Sequence, residues 1–270
     1  MTAALSVTLV DKPWGRDRLP SPFEGGADRR IGEIWFEPPR ILPQLLVKYI
    51  FTSEKLSVQV HPSDVQTERM GIGRQGKEEC WLILDAEPGA TLGIGFKKEI
   101  TPDDLRAAAL DGSIEHLLAW HDVKAGDFFY IPATTVHAIG GGVTLIEVQQ
   151  NSDITYRLFD YGRPRDLHLD ESIAIACTGP YAVQALGKHV APSGSQVLVD
   201  GPLFRLEQVE GKPTPQICRR FETALLVIPR SGSVKIEGER IAVGQCAVAS
   251  GIASVEFESD AVCLLAASLV

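Results

Sequence analysis

Between Leu56 and His61 the chain alternates strictly, with Leu56, Val58 and Val60 apolar and Ser57, Gln59 and His61 polar. The pattern predicts a β-strand with one face in a core, because strand side chains repeat every two residues. Pro62 ends it, since proline has no N–H to give to a ladder. The polar face then offers a carboxamide oxygen and an imidazole two positions apart, and both can ligate a metal. An edge strand whose polar face merely meets water has the same pattern, so this stretch alone leaves both readings open.

The rest of the chain repeats the theme of short strands and turns. It has 270 residues, 25 of them Gly and 17 Pro, which favours a β-rich fold over an all-helical one. That length suits one large domain or two modest ones. The net charge of -9 comes with no long basic block, which argues against nucleic acid or an anionic membrane as partner. An anionic substrate must be held by a local cluster. The first ten residues carry no positive charge before their small apolar run, and no stretch is long and apolar enough to span a bilayer. Neither a signal peptide nor a membrane span is expected. Cys80, Cys177, Cys218, Cys246 and Cys263 form no CxxC pair, as expected of packing thiols in a reducing cytoplasm rather than a disulfide framework.

Along the chain, Trp14 and Trp35 read as packing aromatics on either side of a polar loop from Pro20 to Arg30. Ile41 to Phe51 is an apolar run broken by Lys48, which must either snorkel to solvent or point into a polar cavity. Ser63 to Lys77 reads as a loop with at most a short helical turn. Glu79, Trp81 and Ile83 then share one strand face and Cys80, Leu82 and Leu84 the other, so Glu79 can enter the same cavity as Gln59 and His61 or sit solvated at a strand end.

Thr101-Pro102-Asp103-Asp104 has the cap, the first-turn proline and the early acids of a helix start. The helix is expected to break at Asp111-Gly112 and resume to about Trp120, with Leu105, Leu110, Ile114, Leu117 and Leu118 as its apolar stripe. His116 and His121 read as surface residues. Val143 to Val148 is a strand carrying Glu147. Asp153, Thr155 and Arg157 alternate with Ile154 and Tyr156, a spacing that more often makes a structural ion pair than a site. Asp170 to Cys177 reads as helical, and Lys188 to Gln196 as a linker. Short strands and Gly turns follow from Phe204 to Leu265, including Ile241 to Ala249 and Ser254 to Leu265, the pattern of a compact β-sandwich.

Gln59, His61, Glu79 and His137 make an N/O donor set suited to Zn²⁺ and tolerable for other divalent first-row ions. No histidine follows His189, so the last third cannot repeat such a site. Gly126, five residues, Pro132 and then His137 resemble the second cupin motif, with Thr134 where that motif usually has glycine, which leaves the turn geometry open. Together with Ser57–Pro62, Gly76–Trp81, Tyr130–Ile139 and Gln150–Arg157, the order of motifs resembles the short bacterial form of type I mannose-6-phosphate isomerase, over residues 10–180 and only weakly beyond.

That resemblance implies two tandem cupin-like, jelly-roll β-barrels, with a small helical insertion near 102–119. Residues 1–187 are expected to form a catalytic, metal-binding domain and residues 197–270 a second domain without metal ligands. It implies one Zn²⁺ per chain on Gln59, His61, Glu79 and His137, and interconversion of mannose 6-phosphate and fructose 6-phosphate. Arg157, Lys77 and Asp153 match its catalytic positions, and Lys48, Ser57 and Arg157 its substrate-binding ones; the base can be Lys77, Asp153 or His61. Glu78 stands where the family typically has Thr or Pro, beside Lys77, whose basicity it could alter. The alternatives are an isomerase of another phosphosugar and a sugar-phosphate-binding cupin without turnover. A bifunctional pyrophosphorylase–isomerase is disfavoured, since no Gly-rich nucleotide-binding segment precedes the motifs.

Overall fold

The computed structural model describes residues 3–25 and 29–270. It is mainly β and arranged in layers. The first sheet has seven strands in the order Val7–Arg16, Ile31–Phe36, Leu45–Phe51, Val143–Gln150, Glu79–Ala86, Asp127–Ile131 and Gly187–His189. Facing it is a second sheet of five strands, Tyr156–Phe159, Val58–Val60, His137–Ile139, Thr91–Phe96 and Leu118–Asp122. A third sheet of five strands, Gln196–Asp200, Phe204–Glu210, Val262–Ser268, Leu225–Ser231 and Ala247–Ala249, packs on the other side of the first. A fourth, of Glu239–Ala242, Ser233–Ile236 and Val255–Phe257, closes the stack. Every pairing between these strands is antiparallel. None of the four sheets closes on itself, so the expected barrels are open, stacked sheets instead.

The first sheet is buried on both faces, which is why Leu45–Phe51 has no polar alternation apart from Lys48. Val47, Tyr49 and Phe51 join Ile146, Val148 and Leu82 in the core against Phe204, Leu206, Leu226 and Leu264 of the third sheet. Ile50, Leu145, Trp81 and Ile83 pack the opposite way, on Leu92, Ile94 and Ile139 of the second sheet. The far side of the second sheet is covered by the helices Pro102–Asp111 and Leu169–Ile175, with Leu105, Ala109 and Ile175 on Val58, Val60 and Leu158. Among the described residues no helix is long and apolar enough to cross a membrane.

Several local expectations are corrected. Ser63–Lys77 contains a full helix, Asp64–Met70, begun by a capping box between Ser63 and Gln66 and ended at Gly71, whose φ of 67° only glycine adopts freely. After Pro102–Asp111 and a single turn, Ile114–Leu117, the chain enters the strand Leu118–Asp122 rather than staying helical to Trp120. Pairing of that strand with Thr91–Phe96 overrides helical spacing. Leu110 lies outside the apolar stripe, 65% exposed. His121 is half-buried against Phe129 and Tyr181 rather than on the surface. Cys177 is exposed and Cys218 half-buried, so only Cys80, Cys246 and Cys263 are fully packed thiols.

Within the linker expected at Lys188–Gln196, Lys188 and His189 are strand residues of the first sheet. Ile241–Ala249 divides at a turn containing Gly244, and Ser254–Leu265 at Glu258–Ala261, each half joining a different sheet. The helix Pro215–Arg220 was not predicted, although Thr214-Pro215 repeats the cap and first-turn proline of Thr101-Pro102 without its early acids. Of the loop from Pro20 to Arg30, residues 26–28 lie outside the described residues.

The turn before His137 keeps a glycine-like backbone although its residue is threonine: Thr134 has φ 73°. A β-branched side chain is disfavoured there, at roughly 1–2 kcal/mol. The conformation is held from both sides, as the Thr134 N–H donates to His61 O at 2.8 Å and its carbonyl accepts from Cys177 N at 2.8 Å. Glycine relieves the strain but frees the unfolded chain, an opposing effect of ~0.4–1 kcal/mol. Thr134→Gly is therefore expected to raise stability by up to about 1 kcal/mol, read from the urea midpoint. A lower midpoint would show that the threonine side chain contributes more than its backbone costs.

Candidate metal centre and active-site cleft

Four predicted ligands meet where the first and second sheets face each other. Gln59 and His137 sit opposite one another on adjacent strands, His61 follows the end of Val58–Val60, and Glu79 begins Glu79–Ala86 across the gap. His61, Glu79 and His137 are each at most 1% exposed, and their donor atoms lie within 4.8 Å of one another. Glu79 Oε1 is 3.3 Å from His137 Nε2, and Oε2 is 3.7 Å from His61 Nε2. The Gln59 carboxamide lies 3.2 Å from His137 Nε2 through its nitrogen, while its oxygen accepts from Ser57 Oγ at 3.2 Å. A half-turn of the amide exchanges the two atoms, and a serine hydroxyl can donate or accept.

The donor set fits a divalent cation on its own chemistry. His61 Nδ1 lies 2.8 Å from Ile154 O and His137 Nδ1 2.9 Å from Thr135 O. A carbonyl only accepts, so each Nδ1 carries the proton and each Nε2 turns a lone pair inward. Burial keeps both rings neutral, pushing His137 down to about 4 and His61 well below its ordinary value. Burial drives the Glu79 carboxyl upward, and Lys77 pulls it back. Glu79 Oε1 accepts no hydrogen bond among the described residues, while Oε2 has the Lys77 ammonium at 2.7 Å. A buried carboxylate facing two imidazole lone pairs is costly without a cation to complete it.

Lys77 is the cation of this chain nearest that point. Its Nζ stands 2.7 Å from Glu79 Oε2 and 2.9 Å from His61 Nε2. Burial opposes its charge, but Glu79 and Glu147 outweigh burial and raise its pKa. The backbone before it is fixed. Lys77 N–H donates to Pro62 O at 2.9 Å, and a Cβ on Gly76 would meet that same oxygen at 2.4 Å. Glu78 is not the neighbour that tunes Lys77: its side chain turns away to accept from the Tyr130 hydroxyl.

A cleft of about 310 Å³ opens beside these ligands and brings together Gln59, Ser57, Lys48, Lys77, Asp153 and Arg157. Lys48 points into it rather than snorkelling, paired at 3.1 Å with Glu147 and lying 4.5 Å from the Trp35 ring centroid. Burial works to raise the Glu147 carboxyl, but Lys48 and Lys77 hold it below the usual carboxylate range. Trp81 Nε1 donates to its Oε2 at 3.0 Å. The expected strand alternation at 153–157 is shorter than predicted: only Tyr156–Phe159 is strand, and Asp153 is exposed on the preceding loop. Asp153 and Arg157 make no ion pair with each other. Arg157 Nε donates instead to Asp166 O at 3.1 Å.

Glu147, Glu33, Trp35, Lys12 and Arg165 also line the cleft and were missed as site residues. Glu147 had a usable signal, an acid inside a buried apolar strand, the same signal that singled out Lys48. Arg165 had none, because it reaches the cleft through a turn anchored on buried Asp160, whose carboxylate it grips at 2.6 and 2.7 Å.

No family model matches the chain. It is 39% identical over 168 residues to the mannose-6-phosphate isomerase of Streptococcus mutans serotype c, covering 59% of this chain and 52% of that protein. It is 40% identical over 158 residues to the mannose-6-phosphate isomerase ManA of Bacillus subtilis, covering 54% of this chain and 50% of that protein. The match thus spans about half the length of these curated relatives. In three dimensions the similarity is broader. The crystal structure of the mannose 6-phosphate isomerase from Bacillus subtilis superposes with a TM-score of 0.78 at 23% identity, covering 97% of this chain and 98% of that one. A mutant phosphomannose isomerase from Salmonella typhimurium superposes with a TM-score of 0.73 at 13% identity over the whole of both chains. The chain is thus a homologue of proteins named mannose-6-phosphate isomerase and has the fold of the solved phosphomannose isomerases.

Proposed function

We propose that the chain is a zinc-dependent aldose–ketose isomerase, interconverting mannose 6-phosphate and fructose 6-phosphate through an enediol. The observation that carries this reading is the convergence of His61, Glu79 and His137 beside a cleft that gathers Lys77, Asp153 and Arg157. In this reading residues 1–187 form a cupin-type metal-binding unit, and residues 197–270 a second unit without ligands. Gln59, His61, Glu79 and His137 would hold one Zn²⁺ per chain, which when bound would supply Lewis acidity toward the substrate oxygens.

The remaining roles follow from charge and position. Isomerisation needs a proton moved between adjacent carbons and one supplied to oxygen. Lys77, its pKa raised by Glu79 and Glu147, is suited to donate a proton or hydrogen bond to a substrate oxygen rather than to remove one from carbon. His61 has one ring nitrogen on a backbone carbonyl and the other toward Glu79, which leaves it no free base function. Asp153, a carboxylate on the cleft wall, is the proton acceptor of this scheme.

Arg157 lines the same cleft with its planar fork, a geometry suited to the enediol or the phosphate. Lys48 and Ser57 complete the substrate side. Lys48 does so as half of an ion pair with Glu147, so it contributes a local dipole and a hydrogen-bond donor more than a free positive charge.

A coupled assay that follows fructose 6-phosphate from mannose 6-phosphate tests the reading. Chelator is expected to abolish turnover and added Zn²⁺ to restore it. Arg157→Lys is expected to retain metal while losing at least about tenfold in kcat, equivalent to about 1.4 kcal/mol. Conversion that is absent with mannose 6-phosphate, or indifferent to chelator, overturns the assignment, and a wild-type rate in Arg157→Lys removes that residue from the mechanism.

A further inference from the structure

Two arginines meet at the cleft, and the fold places them differently. Arg157 lies directly opposite Gln59 on the neighbouring strand of the second sheet, and residues so paired project to the same face. Its stem therefore rises beside that candidate ligand. Arg165 comes from the turn that follows this strand, and the turn folds back on Arg157. Asp166 O accepts from Arg157 Nε at 3.1 Å, and His168 N–H donates to Arg157 O at 2.8 Å. The fold-back brings both side chains to the wall of one cleft.

Neither guanidinium is used up by the protein. Arg157 is half-buried, and among the described residues only its Nε donates to an acceptor. Arg165 sets Nε and Nη2 on the two oxygens of Asp160 at 2.6 and 2.7 Å, which leaves Nη1 for another partner. Asp160 is 2% exposed and the Arg165 side chain 27%, so the fork is fixed from behind and open in front. Asp160 also holds Arg163 Nη1 at 3.2 Å, and a carboxylate shared by two cations offsets only part of the charge on Arg165. Burial and the nearby Arg165 together lower the Arg157 pKa. Two neighbouring cations disfavour each other's charge, and an anion against them removes the conflict.

The lysines of the same cleft offer no such charge. Lys12 Nζ is 3.1 Å from Glu33, Lys48 Nζ 3.1 Å from Glu147 and Lys77 Nζ 2.7 Å from Glu79. Each is matched by its own buried glutamate. Asp153, the remaining carboxylate of the lining, is exposed, where water screens it. A phosphate monoester, with a charge of about −1.5 to −2 near neutrality, is therefore met by guanidinium rather than ammonium, and the planar fork matches its oxygens.

We propose that Arg165 is the phosphate anchor of this cleft, held in place by Asp160, while Arg157, beside Gln59, serves the reacting carbons and Lys48 and Ser57 meet the sugar. The assignment rests on the reading of the substrate as a sugar phosphate, and it divides between two arginines what one was asked to do.

Calorimetric titration of the full chain with mannose 6-phosphate and with inorganic phosphate, beside steady-state kinetics, tests it. Arg165→Gln is expected to weaken both ligands at least about tenfold, with metal content unchanged and the loss in kcat/KM carried by KM rather than kcat. Arg165→Lys keeps a cation on Asp160 but has one ammonium where the fork served two acceptors, and is expected to weaken both at least about fivefold. The proposal is overturned if either variant, folded, binds mannose 6-phosphate as the wild type does, or if its loss falls on kcat. It is equally overturned if the paired substitution Lys48→Gln with Glu147→Gln weakens inorganic phosphate more than Arg165→Gln does, or if the wild type gives no binding heat with either ligand up to ~10 mM. Binding that depends on Arg165 without turnover refutes the isomerase and leaves this site standing, whereas full turnover indifferent to Arg165 does the reverse.

Discussion

Burying Glu79 between two neutral imidazoles is the constraint on which the rest of this structure depends. An ionised carboxylate withdrawn from water is expensive unless something of opposite charge meets it, and Glu79 has no exposed surface. Lys77 supplies one positive charge from the cleft side. The two Nε2 lone pairs supply none, and they are pinned inward by backbone carbonyls behind each ring. A cation satisfies all of them at once. The fold invests heavily in that point: a ladder pair places Gln59 against His137, a strained turn delivers His137, and a glycine without room for a Cβ delivers Lys77.

A second buried pair extends the same logic outward. Lys48 and Glu147 lie opposite each other on neighbouring strands, in a sheet whose other face is packed against a further sheet. Both side chains face the cleft yet are only 6% and 3% exposed, so each relies on the other for most of its partnering. Removing one partner of such a pair costs about 3–5 kcal/mol. The pair is also tied to Trp81 and stands beside Trp35, so the wall of the cleft is held rigidly. Rigid placement of charge suits the proposed isomerisation, because preorganised groups need no reorientation as charge moves on a substrate.

The grouping of the candidate metal ligands was legible in the sequence because most of them sit on strands. Alternation fixes which residues share a face, so Gln59 with His61, and Glu79 with Trp81, could be placed before any coordinates. What alternation cannot reveal is which sheet a strand joins or what lies across from it. Lys48 was therefore ambiguous, and Glu147, its partner, was passed over. Asp153 and Arg157 were read as one strand face because their spacing is even, yet the backbone is irregular until Tyr156. The helix Asp64–Met70 was hidden in a polar, Gly-rich stretch whose capping box outweighs its composition. Closed barrels were expected from the family resemblance, and the sheets instead stay open and stack, with the first sheet sharing one core with the third.

Elemental analysis of the purified chain beside its His137→Ala variant probes the centre most directly. The account predicts about one divalent ion, zinc, per wild-type chain and almost none in the variant, with both chains folded. A wild-type protein purified without chelator that carries no stoichiometric metal, or a His137→Ala variant that retains it in full, would contradict the account at its root.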